Sequence, residues 1–349
     1  MRKRILLIVA ASLYYSGLVA LARSLIGRNG QRIVVLNYHR ASGGNLRRHL
    51  LYLRRHYRIM HAEAALEELY ASRKAGLRSS DRRTPLVLTF DDGYRDNYTD
   101  GYKLAQELQT PFTLYLIPAY IESGAHFWWL EGKRLVKRAR VSEATFAERV
   151  YHLENADDRA ALARYIDGQL RHARSVAERE AFLTEAYEKL QVPESTVEEE
   201  LPALPLTWEE VREMDKSGLV SFGGHTMHHP ILAYLSDVQE VQHEIADCRT
   251  VLEEKLGHPI RTFAYPVGQR QHISHEVIEA VKQAGFTWAF TTNYGLNRPE
   301  SDHYLLKRVE VDVDQHWLVV AVEAAGLWGF FSRLRWLPFI RKHFTNSGR

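Results

Sequence analysis

Residues 86–93, LVLTFDDG, bring a short apolar run to a stop on two adjacent carboxylates and a glycine. Leu86, Val87, Leu88 and Phe90, led in by Pro85, suit a strand buried on both faces of a parallel sheet, and the run is short for a helix. Asp91 and Asp92 then fall where the strand meets its loop, and Gly93 lets the backbone turn sharply beside them. Parallel α/β folds place their chemistry at that end of their strands. Two neighbouring aspartates on extended backbone point in different directions, so one can hold a metal while the other handles a proton from a water on it. Read alone, Asp-Asp-Gly is more often a turn or a helix cap, so the pair requires partners elsewhere.

A second buried strand is predicted over residues 33–38 (IVVLNY), ending on His39 and Arg40 before Ser42, Gly43 and Gly44. His39 thereby takes a place like that of Asp91. A basic amphipathic helix follows around Leu46, Leu50, Leu53 and Tyr57, and another near residues 62–72. Helical periodicity over 97–108 and a strand over 112–117 continue the alternation of a parallel sheet. Trp128 and Trp129 are expected in a loop. From 131 to 200 the composition turns charged, alanine-rich and helical, which reads as an inserted helical subdomain that caps or flanks the site.

The alternation resumes at residues 206–210, where Thr207 caps a helix with Glu210 three positions on. A strand over 219–222 runs into Gly223-Gly224-His225-Thr226-Met227-His228-His229-Pro230. If this segment turns helically, His225 and His229 project from one side at a spacing that suits two ligands on one ion. A helix over 237–256 closes on Gly257, with Cys248 on its packing face. A strand over 261–266 (RTFAYP) leads to Val267 and Gly268, a helix covers 277–284, and the last strands are expected over 287–291 and 305–311. At least six strands separated mainly by helices predict an α/β barrel, complete or incomplete. Asp91-Asp92 at one strand end and His225 with His229 at another make a two-histidine, one-carboxylate set. Such a set binds a divalent first-row metal and leaves positions open for water and substrate.

With these motifs the chain resembles the polysaccharide deacetylases of the NodB-homology group, carbohydrate esterase family 4, and within them the exopolysaccharide-type branch. The resemblance spans roughly residues 33–312, interrupted by the insertion. Thr89-Phe90-Asp91-Asp92-Gly93 is similar to the family's first motif, His225 to Pro230 to its second, and Phe263-Ala264-Tyr265-Pro266-Val267-Gly268 to its third. It implies a deformed (β/α) barrel with an inserted helical subdomain, and a metal-dependent hydrolase that removes acetyl groups from N-acetylated sugars. It further implies Asp91 as general base, Asp92, His225 and His229 as metal ligands, Thr226 as a brace of the ligand loop, and a backbone N–H of Tyr265 or Val267 facing the oxyanion.

Two departures stand out. The arginine common shortly before the proline of the third motif is absent, which leaves Arg261 as the residue expected to reach the base. The late Leu-x-His motif, the usual general acid, is replaced by Leu305-Leu306-Lys307-Arg308, so His39 becomes the first candidate acid and His228 the second. Asp312 is expected to be structural at a strand end.

Ends and composition bound the rest. Arg2, Lys3 and Arg4 precede an uncharged, mostly apolar run over 5–22, near the lower limit for a membrane span, so residues 1–30 are expected to be a signal anchor or a signal peptide. Residues 31–130 and 201–320 then form the barrel and 131–200 the insertion. Residues 321–349 form an aromatic and basic tail that suits a membrane interface or a helix docked on the barrel. A net charge of +3 does not argue for nucleic acid, and a single cysteine excludes an intramolecular disulfide or a cysteine metal cluster.

The expected activity is N-deacetylation of N-acetylhexosamine units in an envelope or exported polysaccharide. Zinc is the default metal from ligand type, with cobalt, nickel and manganese open. The alternatives are an O-acetyl esterase on the same scaffold and a non-catalytic, membrane-attached glycan-binding protein. Expected placement is membrane-anchored or exported, in the cell envelope, with the cytoplasmic face as the other possibility.

Overall fold

A computed structural model describes residues 2–28, 32–75, 81, 83–193 and 203–327. In chain order the first elements are α1 (Arg2–Tyr15), α2 (Leu18–Arg28), β1 (Val34–Tyr38), α3 (Leu46–His56), β2 (Arg58–Met60), α4 (Ala62–Ala75) and β3 (Pro85–Phe90). A π-helical turn, Asn97–Tyr102, leads into α5 (Lys103–Leu108), and β4 (Phe112–Leu116) and α6 (Pro118–Ser123) follow. The inserted segment comprises α7 (Trp128–Arg138), β5 (Glu143–Phe146), β6 (Arg149–His152), α8 (Ala156–His172) and α9 (Val176–Leu190). The chain continues with α10 (Trp208–Lys216), β7 (Val220–Gly224), α11 (Val238–Leu256), β8 (Thr262–Ala264), α12 (His275–Gln283), β9 (Trp288–Tyr294), β10 (Leu306–Glu310) and α13 (Trp317–Ala324).

Seven parallel strands close on themselves in the order β1, β10, β9, β8, β7, β4, β3 and back to β1. The short β2 pairs with the start of β3, at Pro85 to Val87, while β4 takes the end of that same edge at Thr89 and Phe90. The strands are apolar on both faces because both are covered. Val35, Val87, Tyr115, Ala264, Phe290 and Leu306 fill the barrel, and Leu36, Leu88, Leu114, Phe222, Phe263 and Val309 face the surrounding helices.

α4 lies across the end where the strands begin. His61 just before it reaches the carbonyls of Phe112 and Gly218, and Tyr70 donates to the Ser301 carbonyl. That plug leaves the opposite end, where the strands finish, as the barrel's mouth.

Local signals in the sequence account for several boundaries. Thr207 and Glu210 form the reciprocal capping box at α10. Asp237 caps α11 and Gly257, at φ +77°, ends it. Cys248 is buried on that helix as expected.

The insertion differs from an all-helical reading. Residues 143–152 form an antiparallel hairpin, and Trp128 and Trp129 open α7 instead of lying in a loop. Its own apolar cluster, including Leu135, Phe146, Leu162, Ile166 and Leu190, is separate from the barrel's.

At the N-terminus the apolar run is two helices. Gly17, at φ +81°, breaks it, and the segments Arg4–Tyr15 and Leu18–Leu25 meet at 68°. Among the described residues no single helix is long and apolar enough to cross a membrane. Most of the aromatic and basic tail, residues 328–349, lies outside the described residues.

Candidate active site

The mouth of the barrel gathers the sequence motifs because parallel strands all finish there. β3 delivers Asp91 and Asp92, β7 delivers His225 just past Gly224, and β8 delivers the loop after Ala264. Asp92, His225 and His229 are all buried, and each offers a donor atom within 4.8 Å of the other two. Asp92 Oδ1 stands 3.4 Å from His225 Nε2 and 3.6 Å from His229 Nε2.

The segment carrying the two histidines is not helical. It bends through Thr226 at φ +66° and His229 at φ +56°, and the Thr226 hydroxyl accepts a 2.9 Å bond from the His229 amide. The four-residue spacing therefore works through a strained loop that Thr226 braces.

Four non-glycine residues around the mouth hold positive φ: Asp92 (+74°), Thr226, His229 and Val267 (+59°). For the β-branched Thr226 and Val267 this is a real outlier, costing on the order of 1–3 kcal/mol each. The strain is concentrated where side chains and amides must be aimed inward.

The donor set fits a divalent ion. Bonds of about 2.0–2.1 Å to a tetrahedral ion place two donor atoms about 3.3 Å apart, close to the separations from Asp92. The Nδ1–H of His225 donates to the Ala264 carbonyl at 2.6 Å, which fixes the tautomer and leaves Nε2 as the ligand atom. His229 is kept neutral: burial, and then His225, pull its imidazole down to about 3. Burial pushes the Asp92 carboxyl up, but its hydrogen bond with His225 and the nearby imidazoles of His39 and His229 outweigh that and hold it below the usual range.

Asp91 is held by a separate partner. Arg308 of β10 meets it with Nη1 at 2.7 Å and Nη2 at 2.8 Å, one on each carboxylate oxygen. Arg308 is itself fully buried, and donates further to the carbonyl of Thr291 and to Asn37 Oδ1. Burial raises the Asp91 carboxyl, but the Arg308 guanidinium leads the groups that reverse this and hold it at about 2.

Arg261 does not reach the base. It precedes β8 and so lies at the far end of the barrel, where Nη1 meets Glu67 Oε1 at 2.6 Å beside Glu63. The guanidinium on Asp91 comes instead from Arg308, the last residue of the very stretch that lacks the expected histidine. An arginine inside the otherwise partly apolar segment 305–311, and an asparagine inside the apolar run 33–38, were the signals available in the sequence.

His39 stands at the end of β1, close enough for its charge to bear on both Asp91 and Asp92, and its carbonyl accepts from Asn97 Nδ2 at 3.1 Å. His228 turns to α11, where its Nδ1 lies 2.6 Å from Glu244 Oε1 and its amide donates to Oε2. The Tyr265 amide is spent in the sheet, donating to the Phe290 carbonyl, whereas the Val267 amide has no acceptor among the described residues. Asp312 is exposed and accepts from the Asp314 amide.

Two supports escaped the sequence reading. Asp96, buried, accepts from Arg40 Nε at 2.7 Å and from the Ser42 amide and hydroxyl, tying the loop after β1 to the loop after β3. The insertion closes over the histidines: Trp128 Nε1 donates to the His229 carbonyl at 3.0 Å, and the Trp129 ring lies 4.4 Å from the His229 ring, centre to centre.

A closed parallel barrel with a buried Asp-His-His group at its mouth, beside a second carboxylate, offers the kind of donor set that hydrolytic metal sites on α/β scaffolds use. The polysaccharide deacetylase family model matches residues 78–289, more than half of the chain. The chain belongs to that family, hydrolases of carbon–nitrogen bonds other than peptide bonds.

Among relatives, YxkH of Bacillus subtilis (strain 168), provisionally named a polysaccharide deacetylase, is 22% identical over 285 residues, covering 80% of this chain and 71% of YxkH. IcaB from Ammonifex degensii superposes with a TM-score of 0.54 at 21% identity, over 85% of this chain and 98% of IcaB. The BpsB deacetylase domain from Bordetella bronchiseptica gives 0.52 at 16% identity, over 81% and 97%. These structures share the NodB-type fold.

Proposed function

We propose that the protein removes N-acetyl groups from N-acetylhexosamine units of an envelope or exported polysaccharide, with a divalent ion held by Asp92, His225 and His229. What carries this reading is the burial of that donor group beside a second, separately held carboxylate at the open end of the barrel. Ligand type favours zinc. A bound ion supplies Lewis-acid polarisation of the acetamide carbonyl and lowers the pKa of a water, which offsets the weak basicity of a carboxylate held at about 2.

The chain's own residues do the rest. Asp91, ionised at any working pH, accepts the proton of the attacking water, and Arg308 sets its orientation. The Val267 amide donates to the oxyanion that develops on the acetamide. His39 gives a proton to the leaving amine as the carbon–nitrogen bond breaks, so that water and amide become acetate and free amine. Thr226 and Trp128 keep His229 in place. The apolar N-terminal run supports placement in the cell envelope, membrane-anchored or exported.

The deciding experiment measures acetate release from N-acetylglucosamine oligomers by the metal-stripped full-length protein, resupplied with zinc, against Asp91→Asn. Zinc-dependent release that the variant loses is expected. Release from O-acetylated sugars alone would make the protein an esterase. Glycan binding without turnover, unchanged by Asp91→Asn, would make it a binding protein and overturn the reading.

A further inference from the structure

The two tryptophans that open α7 differ in what they have left to offer. Trp128 is buried, and its Nε1 is committed to the His229 carbonyl. Trp129 is half-buried, with its ring centre 4.4 Å from that of His229, so it stands beside the Asp-His-His group. Its Nε1 donates to the Tyr94 hydroxyl at 2.7 Å. A tryptophan at a wet boundary usually turns its apolar body inward and gives its N–H to water. Here the N–H is given to the protein, and what the indole has left is apolar ring.

Tyr94 follows closely on Asp92 and is only 5% exposed. Having accepted from Trp129, its hydroxyl keeps a proton of its own, for which no acceptor stands among the described residues. A buried donor left over is costly unless something fills it. The ring is held from several sides. The Gly93 carbonyl before it accepts from the Leu206 amide at 2.9 Å, and the Arg95 amide after it donates to the Leu204 carbonyl at 2.8 Å. The Arg40 guanidinium lies over it, 4.5 Å from the ring centre. Phe127, fully buried, meets Tyr94 edge to face at 4.7 Å and stacks on Trp129 at 4.8 Å, ring centre to ring centre. One buried ring thus backs both, and the pair is set before any ligand arrives.

A pyranose presents an apolar C–H face and a rim of oxygens. An apolar indole beside one uncommitted hydroxyl donor, on a rigid backing and in contact with His229, matches both.

We infer that Trp129 and Tyr94 form the sugar-binding wall of the site: Trp129 packs on the C–H face of the pyranose that carries the acetamide, and Tyr94 donates to one of its oxygens. The identity of that sugar rests on the N-acetylhexosamine reading above. The insertion, which contributes Trp129, then takes part in choosing the substrate, while the barrel carries out the chemistry.

The test is calorimetric binding of N-acetylglucosamine oligomers, and of glucose oligomers of the same linkage, to the full-length Asp91→Asn protein, both metal-stripped and with zinc. Because the wall reads the ring, binding of both oligomers is expected, with and without zinc. Adding Trp129→Ala weakens each about tenfold, and adding Tyr94→Phe about fivefold. Tyr94→Phe keeps the ring and its volume, so its thermal unfolding and zinc affinity stay those of the Asp91→Asn parent, which guards against Trp129→Ala failing to fold. With Asp91 restored, both variants raise KM for acetate release by more than they lower kcat. Unchanged oligomer affinity in both variants, or no oligomer bound by the parent, overturns the inference. A loss confined to Trp129→Ala, matched by an equal loss of zinc affinity and absent from the metal-stripped protein, would make Trp129 a support of His229 and also overturn it. Acetate release at wild-type KM in both variants would remove the wall and keep the deacetylase. Binding that needs Trp129 and Tyr94, without acetate release by the protein carrying Asp91, would keep the wall and remove the deacetylase reading.

Discussion

Arg308 grips Asp91 with both arms of its guanidinium, at 2.7 and 2.8 Å, and neither side chain has meaningful contact with solvent. A buried two-pronged pair of this kind orients a carboxylate far more tightly than one hydrogen bond would. It also makes each partner costly to lose. Replacing Arg308 by Met leaves a buried carboxylate unpaired, and a loss of about 3–5 kcal/mol in unfolding free energy is expected from urea titration. Arg308→Lys keeps the charge without the fork, so we expect it to fold better than the Met variant yet lose about 100-fold in kcat/KM. Wild-type turnover in Arg308→Lys would show that orientation of Asp91 is not needed.

The Trp128 indole is the partner of a carbonyl that belongs to a metal-ligand candidate in a strained conformation. Trp128→Phe keeps an aromatic ring but deletes the donor, together with part of the indole's bulk. The orphaned carbonyl costs about 1–3 kcal/mol, and zinc binds about 10-fold more weakly because an outer support of His229 is gone. Calorimetric titration of the metal-stripped protein with zinc reads this directly. Unchanged affinity would confine Trp128 to a packing role.

Gly223 permits a close approach inside the barrel. A Cβ there would stand 2.3 Å from Tyr115 Cε1 and 2.7 Å from Thr262 Oγ1, both fixed in neighbouring strands. Gly223→Ala is expected to destabilise by about 1–3 kcal/mol through overpacking. Gly44, with nothing within 4 Å of the same added atom, is the control, and Gly44→Ala should change stability by no more than about 0.5 kcal/mol.

Glu323 of α13 is buried, and burial pushes its carboxyl up to about 7 from 4.5, against a lowering hydrogen bond with Tyr294. A raised carboxylate pKa means that the folded state binds the proton more tightly than the unfolded chain does. Stability is therefore greatest below the unfolded value and falls as pH rises from about 4.5 to about 7, by a total of about 3 kcal/mol. Glu323→Gln should be as stable as wild type at the acid end of that window and more stable above neutrality. Unfolding curves across pH decide it, and parallel profiles for the two proteins would refute the assignment.

How much was legible beforehand follows from whether a feature is local. The strand ends at Asp92 and His225 could be read from short apolar runs stopping on polar residues, and the caps at Thr207 and Gly257 from single residues with fixed backbone preferences. The hairpin at 143–152 could not, because its strands alternate only over four residues each inside a charged, alanine-rich background. The N-terminal run read as one segment by hydropathy, yet Gly17 divides it, since hydropathy does not register a left-handed turn.

By itself the sequence determined the order of the seven barrel strands, the barrel end at which each polar motif emerges, and the identity of the buried Asp-His-His group. Those depend on hydrophobic period and on residue types at fixed spacing. Only the tertiary structure decided which arginine holds Asp91. Arg261 is nearer in sequence to the third motif but begins its strand, while Arg308 lies on β10, which closure of the barrel places against β1 and, through it, near β3. In the same way it decided that His39 joins the aspartates, that His228 leaves for Glu244, and that the amide of Tyr265 is already committed to β9. The reason is common to all of them. Each is a choice among chemically equivalent groups, and what separates the groups is the distance across a closed sheet between residues far apart in the chain.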